Sequence, residues 1–253
     1  MIGVRSRTSS STWSADAAPP MAISRRARFI RWLTGRYIRR IDIANAPVDK
    51  MRKRLDQLGR LSRPARHVAI EEKSIAGLHA EWYRPPQPKP GKLLLYLHGG
   101  AYTLGSCDSH RKLVTHMANE GRIEAVMPEY RLAPEHPFPA GLDDAIAVYK
   151  ELLQSGYSAS DIVISGDSAG GGLSVAMMLQ LRHEGLPLPG TAVLISPFLD
   201  MSASGETMKT RADRDPWFRP DEVEVVARYD CPIDDLRYPL LSPVFANGAG
   251  LPP

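Results

Sequence analysis

Short apolar runs alternate with longer segments of helical periodicity between residues 93 and 196, and no other feature constrains the fold as strongly. The first runs are continuously apolar, which is typical of strands buried on both faces. Strands separated by helices form parallel sheets with right-handed crossovers. The sequence therefore predicts an α/β fold with a mostly parallel sheet flanked by helices. The predicted strands are LLLYL (93–97), IEAVM (123–127), DIVIS (161–165) and TAVLIS (191–196), with helices at 109–120, 142–156 and 168–184.

The residues before this core have other patterns. Residues 1–22 are rich in Ser, Ala and Pro, and we expect a disordered leader there. Apolar residues at helical spacing predict one or two amphipathic helices over 23–61. Two strands at 66–75 and 78–84, joined by Ala76-Gly77, predict a hairpin.

The charge of the chain is basic and unevenly distributed. The net charge is +4 and the sequence pI ≈ 9.1, and arginines crowd the first 66 residues. No basic stripe interleaves with aromatic residues as in a nucleic-acid-binding module, so no nucleic acid partner is expected. The arginines are better explained as a solvated helix face, or one that touches a membrane surface.

Cysteine content and hydropathy favour a cytoplasmic protein. The only two cysteines, Cys107 and Cys231, argue against a disulfide framework. The amino-terminal residues lack the apolar segment of a secretory signal. No apolar run is long enough to cross a bilayer, so no stable membrane insertion is expected. Nothing in the sequence indicates a cofactor or a metal.

A serine flanked by glycines marks the junction of the third predicted strand and its helix. Gly166, Asp167, Ser168 and Gly170 lie in the sequence GDSAG. A serine on such a strand–turn–helix joint takes a strained backbone that exposes its Oγ, and larger residues at the two glycine positions would collide. The alternatives are a plain glycine-rich turn or a phosphate cradle.

A second motif, His98-Gly99-Gly100-Ala101, follows the first core strand. Acyl transfer to a serine creates an oxyanion that needs preorganised N–H donors. Small residues allow the backbone to come close and expose such groups. We predict that Gly99, Gly100 and Ala169 donate them, and that His98 is structural.

Three motifs in order, HGGAY (98–102), YRLAPEHPFPA (130–140) and GDSAGG (166–171), resemble the hormone-sensitive-lipase-like family of α/β hydrolases. The resemblance runs from about Ala65 to the last residue. It implies an α/β-hydrolase fold and a carboxylesterase or acetyl-ester hydrolase activity. In that family the position of Ala101 is usually glycine, which is a mild departure because alanine is small.

The resemblance also implies a domain organisation. Residues 63–200 form the α/β-hydrolase core, with lid helices at 23–62 and a lid insertion at 201–240 that contains a short helix at about 220–229. Residues 241–253 form a truncated return to the core. Four residues either line an acyl pocket or pack ordinarily: Met201, Met208, Trp217 and Phe218.

The YRLAPEHPFPA segment is predicted to be scaffold. Its prolines fix a loop beside the site, and Arg131 and Glu135 are expected to pair and hold it. Tyr130 and Asp143 resemble positions that the family keeps, and both are assigned structural roles.

A base for the serine is missing from the sequence. The only later histidine, His183, lies 15 residues along the same predicted helix, about 22 Å from Ser168. A base must come within about 3 Å. His98, His110 or His136 are weak substitutes. The resemblance places the triad aspartate and histidine beyond Pro253, so we expect a carboxyl-terminally truncated esterase with impaired activity and an exposed sheet edge.

Two hypotheses remain from the sequence. The first is a carboxylic ester hydrolase in which Ser168 attacks a short-chain acyl ester and forms an acyl-enzyme. The second is a non-catalytic protein that binds a small ligand on the same scaffold. A peptidase or lactamase activity is a weaker alternative, and a homodimer through the exposed sheet edge is possible.

Overall fold

A six-stranded, mostly parallel sheet organises the chain, and its strand order is β1-β2-β4-β3-β5-β6. The computed structural model describes residues 23–37, 46–215, 220–231 and 235–253. β1 and β2 form an antiparallel hairpin that continues antiparallel to β4, and the other neighbours are parallel. The predicted α/β architecture is confirmed. The strands are β1 (Ala69–Ile75), β2 (Leu78–Arg84), β3 (Leu93–Leu97), β4 (Glu124–Pro128), β5 (Ile162–Asp167) and β6 (Thr191–Ile195).

Seven helices lie within the described residues, and the helices of the core follow the strands as expected. α3 begins two residues before the predicted start, because the hydroxyl of Ser106 caps it by accepting the Ser109 N–H at 3.2 Å. The predicted leader, residues 1–22, lies outside the described residues. The helices are α1 (Arg25–Tyr37), α2 (Val48–Arg60), α3 (Cys107–Gly121), α4 (Ala140–Gln154), α5 (Ser168–His183), α6 (Glu206–Thr210) and α7 (Pro220–Asp230).

The core covers both faces of β3. Alternate side chains of a strand point to opposite faces. Leu93, Leu95 and Leu97 pack among residues of α4 and α5, whereas Leu94 and Tyr96 pack with α3 on the other face. All five side chains are buried, and burying each leucine stabilises the fold by about 1.5–3 kcal/mol. β3 is therefore fixed in position, and the loop that follows it starts from a rigid point.

Helix α2 is attached to this core by ion pairs. The guanidinium of Arg52 pairs with Glu135 at 2.8 Å, and that of Arg60 pairs with Asp108 at 2.6 Å. The prediction that Arg131 pairs with Glu135 is wrong. Arg131 instead binds Asp144 at 2.7 Å, because the first turns of α4 lie beside it while Glu135 faces α2.

The edge strand β6 is only partly covered. The side chains of Val193 and Ile195 are 45% and 38% exposed. The Ala192 N–H donates to the carbonyl of Pro253 at 2.8 Å, so the final residue lies beside this edge. No helix in the part of the chain that the structure describes is long and apolar enough to cross a membrane.

Candidate functional site

Ser168 is the first residue of α5 and directly follows β5. Its φ is +49°, in the left-handed region that costs a non-glycine residue about 1–2 kcal/mol. The side chain is half-buried. A Cβ on Gly166 would lie 2.5 Å from the Gly170 carbonyl, and one on Gly170 would lie 2.0 Å from the Leu97 oxygen. The strained serine and the glycines that it requires are therefore present as the elbow interpretation predicts.

The loop after β3 packs directly against this elbow. β3 and β5 are parallel neighbours, and Leu97 pairs in register with Gly166, so both motifs leave the same edge of the sheet. The backbone of Gly100, Ala101 and Tyr102 has φ values of 132°, 55° and 57°. The Ala101 departure therefore costs more than its small size suggests, because its Cβ occupies a left-handed backbone, at a cost of about 1–2 kcal/mol.

Asp167 connects the elbow to that loop. Its Oδ1 accepts hydrogen bonds from the Tyr96 hydroxyl at 2.8 Å and the Gly99 N–H at 2.9 Å. His110 Nε2 lies 3.4 Å from the same oxygen. Burial raises the pKa of the Asp167 carboxyl, but the contacts with His110, Tyr96 and Gly99 outweigh it and hold the pKa below its ordinary value. The carboxylate is therefore ionised and holds the first glycine of the loop against the elbow.

This contact corrects the prediction that Gly99 donates to an oxyanion. Its N–H is already directed at Asp167. The Gly100 N–H donates no hydrogen bond to any residue that the structure describes. The Ala169 N–H lies in the first turn of α5, where helical N–H groups have no partner within the helix. Gly100 and Ala169 are thus the donors that remain free.

His98 is buried beneath the loop. Its Nδ1 lies 2.9 Å from the Gly99 carbonyl, and its ring stacks on Tyr130 with centroids 4.4 Å apart. The Tyr130 hydroxyl donates to the His98 carbonyl at 2.6 Å. Burial, with the charge of His110, lowers the pKa of the imidazole to about 3. His98 is therefore neutral, and this geometry fits a structural role.

No described residue forms a hydrogen bond with Ser168 Oγ. His183 is the last residue of α5, at the opposite end from Ser168. His110 contacts Asp167 through Nε2, and its Nδ1 lies 2.7 Å from Ser109 Oγ. His136 is exposed. None of the histidines considered as substitute bases is therefore in hydrogen-bonding contact with Ser168 Oγ in the described part of the chain.

Among the described residues, one group of possible metal ligands lies between β2 and the start of α3. Single ligand atoms of His79, Glu81 and Cys107 fall within 4.8 Å of one another. Glu81 already forms an ion pair with Arg111, and burial raises the pKa of the Cys107 thiol. A cation would have to displace the arginine and deprotonate the thiol, so these residues fit a metal poorly.

The enclosed cavity nearest the loop is small. It has a volume of about 20 Å³, close to what one water molecule needs. Tyr102, Tyr130 and Asp230 contribute to its wall. Among the residues expected to line an acyl pocket, Met201 is buried, Met208 is half-buried, and residues 217 and 218 lie outside the described residues.

The sheet topology, and the strand–turn–helix elbow with its strained serine packed against a glycine loop, define the class of an α/β-hydrolase fold. A family model described as "alpha/beta hydrolase fold" matches residues 94–253, and the chain belongs to this family.

Two relatives extend this assignment. The chain is 41% identical over 174 residues to an acetyl-hydrolase of Streptomyces hygroscopicus, which covers 69% of this chain and 58% of the relative. It is 34% identical over 211 residues to an esterase of Acinetobacter venetianus, covering 83% and 69% of the two chains. The chain thus spans less than two thirds of the first relative's length.

Solved structures agree closely with the fold. An esterase from the bacterial hormone-sensitive lipase family is 36% identical, with a TM-score of 0.82 and coverage of 92% of this chain and 77% of that one. The structure of EstE5 soaked by p-nitrophenyl butyrate is 39% identical, with a TM-score of 0.82 and coverage of 89% and 75%. The resemblance drawn from the three sequence motifs is confirmed.

Sequence reasoning did not find the connecting role of Asp167, nor its partners Tyr96 and His110. The sequence indicates only that Tyr96 belongs to a buried strand. The one available signal was a polar hydroxyl inside that apolar run, since a buried tyrosine oxygen needs a partner. For His110 the sequence offered no such signal, because its contact depends on how α3 packs.

Proposed function

We propose that this chain is a carboxylic ester hydrolase that uses Ser168 as its nucleophile. The observation that carries the proposal is the left-handed Ser168 at the start of α5, packed against a glycine loop at the same sheet edge. The names of the relatives, acetyl-hydrolase and esterase, support ester hydrolysis. Short-chain acyl esters are the proposed substrates.

The proposed reaction begins with attack of Ser168 Oγ on the ester carbonyl carbon. The carbonyl π electrons move onto oxygen, and the N–H groups of Gly100 and Ala169 stabilise the resulting oxyanion. Collapse of this intermediate breaks the bond to the leaving oxygen, which takes up, through water, the proton lost by the Ser168 hydroxyl. The alcohol departs and an acyl-enzyme remains. Water then attacks the acyl carbon, which releases the acid and restores the Ser168 hydroxyl.

The rate is expected to be low, because no described histidine contacts Ser168 Oγ. A serine without its base and acid retains only the contribution of the oxyanion donors and substrate binding, roughly 10³–10⁴-fold over water. This impairment is part of the proposal.

The test is hydrolysis of p-nitrophenyl butyrate together with labelling by a fluorophosphonate. The chain is expected to show slow turnover and slow labelling, and both should disappear in Ser168→Ala. Ser174→Ala is a matched control, because this serine lies in the same helix with its hydroxyl bonded to the Gly170 carbonyl at 2.8 Å. Equal turnover in the chain and in Ser168→Ala would refute the nucleophile.

A second candidate function is non-catalytic binding of a small ligand. It is favoured by the one observation that Ser168 Oγ has no hydrogen-bond partner among the described residues. Saturable binding of a p-nitrophenyl butyrate analogue, with no turnover and no labelling of Ser168, would support this candidate over hydrolysis.

A further inference from the structure

Helix α1 has an unusual composition for an exposed helix of a globular protein. Its sequence, RRARFIRWLTGRY, contains five arginines and no acidic residue. It also contains bulky apolar residues that do not enter the core. The side chains of Phe29, Ile30 and Trp32 are 59%, 53% and 58% exposed. Cationic and apolar side chains are therefore presented to solvent together.

The apolar side chains lie on one side of the helix, and arginines lie both among them and opposite them. At about 100° per residue, Phe29, Ile30 and Leu33 fall within one sector of roughly 100°. Arg26 falls inside this sector, whereas Arg28 and Arg31 lie on the opposite side. The rings of Phe29 and Trp32 are 6.0 Å apart, so Trp32 borders the apolar sector. The helix therefore presents bulky apolar side chains and arginines to solvent on the same side.

The arginines of α1 differ from those of α2 in what they contact. Arg52 and Arg60 of α2 each bind a carboxylate of the core. Among the described residues, the only side-chain hydrogen bond of an α1 arginine joins Arg31 to the Arg214 carbonyl, at 3.0 Å. Within the described ranges, no carboxylate pairs with an arginine of α1, so the positive charge of this helix is offered to an anionic partner.

We propose that α1 is a docking surface for an anionic lipid bilayer. The helix lies parallel to the membrane, with Phe29, Ile30 and Leu33 at the boundary of headgroups and acyl chains. Trp32 sits at headgroup level, and the arginines bind lipid phosphates. The proposal concerns peripheral binding and does not depend on ester hydrolysis.

Two other occupants fit the surface less well. A second copy of the chain would bring five arginines against five more, with no acidic residue in the helix to balance them. Nucleic acid would satisfy the arginines, but it would leave the large aliphatic side chains of Ile30 and Leu33 in water. A lipid interface accommodates both the charge and the apolar sector.

The test is sedimentation of the whole chain with phosphatidylcholine vesicles that contain or lack phosphatidylglycerol. We expect at least about tenfold tighter binding to the anionic vesicles, weakened by added salt. Arg25→Glu combined with Arg28→Glu should weaken binding at least about tenfold. Phe29→Ala combined with Trp32→Ala should also weaken it severalfold. Circular dichroism would verify that each variant is folded.

Control variants alter the same charge, or remove exposed apolar side chains, elsewhere on the surface. Lys89→Glu with Lys112→Glu changes the net charge equally at two exposed positions. Leu61→Ala with Val244→Ala removes apolar residues that are 81% and 56% exposed. Both control pairs should bind anionic vesicles nearly as tightly as the unchanged chain.

A spectroscopic measurement does not require the charge variants. Brominated anionic lipids should quench Trp32 fluorescence, seen as the difference between the chain and Trp32→Phe. Three results would overturn the proposal: no Trp32 quenching, equal binding to both vesicle types, or equal losses in the control pairs. Tighter binding to duplex DNA at the same salt, or dimerisation abolished by the α1 variants, would also overturn it in favour of those partners.

Discussion

The protonation of two aspartates, the half-buried Asp167 at the elbow and the buried Asp230 at the end of α7, is shifted by the fold in opposite directions. Asp167 receives hydrogen bonds from Tyr96 and Gly99 and contacts His110, and its pKa lies below the ordinary value despite burial. Asp230 is only 6% exposed. Burial raises its pKa to about 7, and the backbone N–H of Phe138 lowers it only in part.

The comparison shows that donors, and not depth alone, decide whether a buried carboxyl is charged. The side chain of Asp167 is 24% exposed and accepts several hydrogen bonds, so it is a fixed anion next to Ser168. Asp230 faces a small cavity walled by Tyr102 and Tyr130. It is therefore partly protonated near neutral pH, and its ionisation works against the packing of α7.

The largest expected effect is that of Asp167→Ala. This change leaves the Gly99 N–H and the Tyr96 hydroxyl unpaired, and it should cost about 3 kcal/mol in the free energy of unfolding. Urea denaturation measures the loss. Asp143→Ala is the matched control, because Asp143 is exposed on α4, and it should change stability by less than about 0.5 kcal/mol. Equal losses would show that Asp167 is not a structural connection.

Asp230→Asn should raise the free energy of unfolding at neutral and alkaline pH, in contrast to Asp167→Ala. Because the pKa of Asp230 is raised in the folded state, the folded chain holds its proton more tightly than the unfolded chain. Stability therefore falls as pH rises from about 4, the unfolded value, through about 7. We expect Asn to gain about 2 kcal/mol at pH 8. Unfolding at about pH 2.5, well below the unfolded value, where Asp230 is protonated in both states, should show almost no gain. An equal gain there would contradict the cause given.

Asp167→Asn should flatten the acid limb of the stability profile. The pKa of Asp167 is lowered, so its contribution is fully present above the unfolded value of about 3.9 and is lost as pH falls through the folded value. We expect the chain to lose more stability than this variant between about pH 5 and pH 2. Parallel profiles from thermal unfolding at each pH would show that Asp167 does not cause the acid sensitivity.

The smallest expected effect is that of Tyr96→Phe. It removes one donor to Asp167 while it keeps the ring in the core, so a loss of about 1 kcal/mol is expected. Tyr149→Phe is a comparable control, since its hydroxyl donates to the Pro187 carbonyl at 3.0 Å. The acid limb distinguishes the two variants, because only Tyr96→Phe should make the Asp167 contribution disappear at higher pH.

Much of the fold could be predicted from the sequence. The four core strands and the hairpin lie within a few residues of their predicted bounds, because continuous apolar runs and turn glycines are local signals. A comparison of β3 with β6 shows which property could not be predicted, namely how deeply each strand is buried. Both strands have five residues, all apolar in β3 and all but Thr191 apolar in β6, yet β3 is wholly buried while Val193 and Ile195 are exposed. The burial of a strand depends on the elements packed beside it, and the residues of the strand itself do not determine those elements.

The sequence by itself determined the alternating core and the glycines around Ser168, because hydrophobic periodicity and steric room at a tight turn are properties of neighbouring residues. Only the tertiary structure decided that Arg131 binds Asp144, that the Gly99 N–H is directed at Asp167, and that no carboxylate of the described residues pairs with an arginine of α1. Such pairings join residues far apart in the chain. Many charged partners are chemically equivalent, so the packing of the elements selects among them.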